Sequence, residues 1–137
     1  MVQKHIIFRG AMMGMAVGDA MGYPVDRVSL AQIREDYGPA GLLGYDLVNG
    51  YAEVSSNTQI AAFAANGLLL GLTRGQMDKL VGYVGVALRE WSRSQQFSEP
   101  ARNYCWLSTV PQLRRRRCLD TCMLDALGRG MGTLEEP

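Results

Sequence analysis

The chain has 137 residues, a length that suits one domain. Hydrophobic residues make up 47% and charged residues 20%, a balance that supports a packed core and excludes wholesale disorder. Fourteen basic and thirteen acidic residues leave a formal charge of +1, so no overall electrostatic footprint for nucleic acid or an anionic membrane is present. No apolar run approaches the roughly 20 residues that span a bilayer, and no secretory signal is legible at the start. Three cysteines, Cys105, Cys118 and Cys122, make an odd count that argues against a disulfide framework. They read as reduced thiols of a cytoplasmic protein. The first helix is expected over residues 6–22, where Gly10, Gly14, Gly18 and Gly22 recur every fourth position and share one face. Its other residues are apolar almost all round, so it is expected to be central, with another backbone close to the glycines.

A turn at Pro24 follows, then a short helix opened by Ser29 with Gln32 in a capping-box pattern and stopped by Gly38-Pro39. Residues 40–54 read as a glycine-bearing loop with one short strand or none. A third helix is expected over 58–72, after the cap residues Ser55, Ser56 and Asn57, and is apolar enough to be buried. Thr73 to Gln76 resembles a further capping box, opening a fourth helix to about 96 with Leu80, Val84, Leu88 and Trp91 on one stripe. Residues 97–113 read as a loop with helical turns. Asp120 caps a last helix that ends at Gly128, with Leu119 and Leu124 as a hydrophobic staple. The fold class is all-α, an orthogonal helical bundle in a single partial domain over 1–137. Two helices that are apolar nearly all round need more neighbours than the other three provide. A homo-oligomer or a complementing chain is therefore expected.

Several stretches carry a resemblance. The run Arg9-Gly-Ala-Met-Met-Gly-Met-Ala-Val-Gly-Asp-Ala-Met-Gly-Tyr-Pro-Val-Asp26 resembles the opening G-A-L-L-G-L-A-V-G-D-A-L-G-x-P-V-E of the ADP-ribosylglycohydrolase family. Ser55-Ser-Asn-Thr-Gln59 sits where that family carries [ST]-D-D-T-Q, and residues 115–137 are similar to its R-R-A-P-G-N-T-C-L-S-A-L … G-T-x-E-x-P stretch. The resemblance covers the N-terminal part of the family's domain. It implies an all-helical fold and magnesium-dependent hydrolysis of ADP-ribosyl bonds on modified arginine or serine side chains. Two metals are held by the [ST]-D-D triplet and a late D-x-D-[ST] motif, and a glutamate after the first helix works near the scissile bond. ADP-ribose or an ADP-ribosylated protein is the implied partner, with no nucleic acid and no membrane.

The departures concern the chemistry. Ser55 keeps the hydroxyl ligand, but Ser56 and Asn57 replace both aspartates. The glutamate position holds Asp26, the P-G of the later motif is Cys118-Leu119, and the chain reaches Pro137 before any D-x-D-[ST]. Magnesium is a hard cation that favours carboxylate oxygens, so a neutral triplet weakens its hold. The expectation is an impaired hydrolase, or else a non-catalytic ADP-ribose-binding or structural pseudoenzyme. Asp19 reads either as an orienting group of the ligand site or as an aspartate bonded to backbone. Asp26 reads as a remnant catalytic acid or as a solvated loop carboxylate. Ser55, Ser56 and Asn57 read as degraded metal ligands, as a helix cap, or both. Arg114 to Arg117 reads as a solvated basic loop, the alternative being a grip on phosphate.

Overall fold

The computed structural model describes residues 4–97, 104–118 and 120–129. It separates into two compact units, Met1–Thr58 and Gln59–Pro137. Five α-helices and one small hairpin make up the described chain, in keeping with an all-α fold.

In the first unit, α1 spans Lys4–Gly22 and runs into a 3-10 turn at Tyr23–Val25 whose start is set by Pro24. Helix α2 spans Leu30–Tyr37, and Ser29 caps it by accepting a hydrogen bond from the Gln32 N–H at 3.2 Å. Gly38 ends it at φ +84°, a conformation that glycine adopts without steric cost. The expected loop over 40–54 holds two strands instead. Strands β1 (Leu47–Val48) and β2 (Tyr51–Ala52) pair antiparallel, with Val48 opposite Tyr51. The two residues between them, Asn49 at φ +52° and Gly50 at φ +80°, form the left-handed pair that a tight hairpin requires. The Tyr37 hydroxyl donates to Asp46 Oδ2 at 2.7 Å, tying the end of α2 to the foot of the hairpin. That bond holds the tyrosine's proton and pushes its pKa above 10.0.

Helix α1 is not central. Ala20 is its one buried residue, and Ile6, Ile7, Phe8, Met13 and Val17 are exposed. A Cβ built on Gly10, Gly14, Gly18 or Gly22 meets nothing within 4 Å. An apolar circumference creates a demand for neighbours without supplying them, and most of this helix's residues are exposed.

Helix α3 spans Ser56–Thr73 and continues from the first unit into the second. Close backbone packing occurs here rather than on α1. A Cβ on Gly67 would lie 2.7 Å from Tyr83 O and 2.8 Å from Val84 Cα, and one on Gly71 would lie 2.8 Å from Leu80 Cδ2. These contacts seat α3 on α4, which spans Leu80–Gln96. The expected stripe of α4 is thereby placed at the interface, with Ala87 and Trp91 fully buried. Thr73 does not open α4. Its hydroxyl donates to Leu70 O at 3.0 Å at the end of α3, Gly75 turns the chain at φ +67°, and a 3-10 turn at Met77–Lys79 leads into α4. The exposed Leu68, Leu69 and Leu72 show that α3 buries one face, not all of them.

The core of this unit gathers Phe63, Ala87, Trp91, Cys105, Leu107, Cys118 and Leu124. Two 3-10 turns, Trp106–Thr109 and Pro111–Arg114, lie in the stretch read as a loop. Helix α5 (Thr121–Gly128) is capped by Asp120, which accepts from the Met123 N–H at 3.1 Å. The expected staple partner Leu119 lies outside the described residues. No helix among the described residues is long and apolar enough to cross a membrane.

Candidate functional site

The start of α3 is organised by a carboxylate from α1. Asp19 Oδ2 accepts the Ser55 N–H at 2.8 Å and the Thr58 hydroxyl at 2.6 Å, and Oδ1 accepts the Ser55 hydroxyl at 2.6 Å. Ser55 Oγ in turn accepts the Asn57 N–H at 3.0 Å, which makes Ser55 the N-cap of α3. Ser55 and Thr58 are buried, and Asp19 is half-buried. A negative group at a helix N-terminus also meets the positive end of the helix dipole. Burial acts to raise the Asp19 pKa, but the hydrogen bonds from Ser55 and Thr58 outweigh it and hold the carboxyl below its ordinary 3.8. The helix-cap reading of Ser55 and the backbone-bonded reading of Asp19 describe this arrangement. Serine is the helix cap, and aspartate orients it.

The other candidate residues stand differently. Ser56 is half-buried and Asn57 is exposed, and neither side chain makes a hydrogen bond among the described residues. Asp26 follows the 3-10 turn, with its N–H donating to Tyr23 O at 3.2 Å. Its carboxylate is exposed and lies 4.0 Å from Arg27 Nε, a loose solvated pair. Arg27 holds φ +82°, a backbone state rare outside glycine. Asp26 makes no hydrogen bond to Asp19, Ser55 or Thr58.

The donor set does not suit a magnesium pair. The triplet offers two hydroxyls and an amide, none charged. The proton of the Ser55 hydroxyl goes to Asp19, and one of its two lone pairs takes the Asn57 N–H. Asp19, the one anion in the cluster, already accepts three hydrogen bonds. Among the described residues, no group of three or more His, Cys, Asp and Glu side chains is placed to hold a metal ion.

A family model described as ADP-ribosylglycohydrolase matches residues 4–133. The chain belongs to the ADP-ribosylglycohydrolase family. None of the curated proteins and none of the solved structures compared gives a significant match. The match runs through both compact units, so the family's frame includes the α1 segment with Asp19, the Ser55 cap and the packed α3–α4 pair.

A second polar centre lies in the unit Gln59–Pro137. Glu90, buried in α4, accepts the N–H groups of Tyr104 at 2.9 Å and Cys105 at 3.1 Å and the Ser108 hydroxyl. Burial and the adjacent Glu90 charge push the Cys105 thiol up to about 12, so it stays neutral and unreactive. Gln59 and Gln95 are also buried, and both bond to the arginine run. Gln59 Nε2 donates to Arg115 O at 2.9 Å while its Oε1 accepts Trp91 Nε1–H at 3.1 Å. Gln95 Oε1 accepts the N–H groups of Arg117 at 2.7 Å and Cys118 at 3.1 Å. The one clue in the sequence was position, since Glu90 and Gln95 flank Trp91 on the inward side of α4.

Proposed function

We propose that this chain, taken alone, is an ADP-ribosylglycohydrolase-like protein impaired in hydrolysis. Its reaction class is that of its family, the cleavage of ADP-ribosyl bonds on modified arginine or serine side chains. It keeps the family's frame and lacks the anionic oxygens that would hold magnesium at the triplet. The observation that carries this reading is the Ser55 hydroxyl, which is engaged on both sides and flanked by the neutral Ser56 and Asn57. Without a bound metal, neither water activation nor charge stabilisation at the departing ADP-ribose is supplied. Asp26, the residue at the family's glutamate position, is exposed on its turn with its carboxylate 4.0 Å from Arg27 Nε.

The test is release of ADP-ribose from ADP-ribosylated arginine and serine peptides in the presence of magnesium. The full chain is expected to give no release above buffer. A paired Ser56→Asp and Asn57→Asp variant should bind divalent metal at least about tenfold more tightly, since two carboxylates are restored. Turnover by the unaltered chain overturns the reading.

The exposed apolar residues of α1 favour a second reading, a structural or oligomeric pseudoenzyme that covers Ile6, Ile7, Phe8 and Met13 against a second polypeptide. A molar mass from light scattering decides it, and a monomer at high concentration would exclude self-association.

A further inference from the structure

We draw no further inference here: the strongest candidate, the outward face of α1 on which Ile7, Met13 and Val17 are exposed, is an apolar helix face and nothing in the structure shows what covers it.

Discussion

The two compact units use the same residue types for opposite ends. In Gln59–Pro137, glycine buys contact, because Gly67 and Gly71 let α4 approach α3 to distances a methyl group would block. In Met1–Thr58, four glycines line α1 with open space above them. The carboxylates diverge as well. Glu90 is buried and closes off three donors, two backbone N–H groups and a hydroxyl. Asp19 is half-buried and takes a similar set from Ser55 and Thr58, at the start of α3. The comparison teaches that an anion at the start of α3 can be satisfied by hydroxyls and N–H groups alone. It needs no cation, and once satisfied it is a poor ligand for one.

The sharpest way to break the comparison is at Glu90. Replacement by alanine orphans two buried N–H groups and a hydroxyl, and a loss of about 3 kcal/mol in unfolding free energy is expected by denaturant titration. A loss below about 1 kcal/mol would mean that water reaches those donors and that the two carboxylates are alike.

The glycines come next, and they should respond with opposite signs. Gly67→Ala forces a methyl group onto the α4 backbone and is expected to cost about 2 kcal/mol. Gly14→Ala meets nothing and should stabilise by about half a kcal/mol through helix propensity. Destabilisation by Gly14→Ala would show that α1 is covered in solution by a second polypeptide.

Asp19 gives a smaller effect that depends on pH. Its folded pKa lies below 3.8, so its contribution is present above the unfolded value and is lost as pH falls through the folded one. Melting temperature measured from neutral pH down into the acid range should therefore drop more steeply in the native chain than in Asp19→Asn. Equal slopes would remove Asp19 as the anchor of α3.

Local signals were legible in the sequence. The caps at Ser29 and Asp120 need a side chain and a backbone N–H three residues away, and both form, while the Gln32 side chain bonds Asp36 rather than closing the capping box on Ser29. The family resemblance was also legible, because the G-A-x-x-G-x-A-V-G-D-A run survives in α1. The capping-box pattern at Thr73 is ambiguous in sequence because a hydroxyl bonds equally well to a carbonyl at a helix end, here Leu70 O. The hairpin is signalled by Asn49-Gly50 alone, the dipeptide that supplies the two left-handed residues a tight turn needs, because strands of two residues carry no alternation. What no single segment displays is which apolar face finds a partner. Helices α1 and α3 carry similar glycine spacing, and only long-range packing separates the bare one from the seated one. The Ser55 position was readable as both cap and former ligand. Its sharing between Asp19 and the Asn57 N–H is a long-range fact, joining positions 36 residues apart.

The central claim is that the Ser55–Asn57 triplet does not hold a divalent ion. Manganese titrated into the full chain and followed by electron paramagnetic resonance tests it most directly. The six-line signal of the hydrated ion should persist in proportion to the metal added. Stoichiometric quenching of that signal, abolished by Asn57→Ala, would contradict the account.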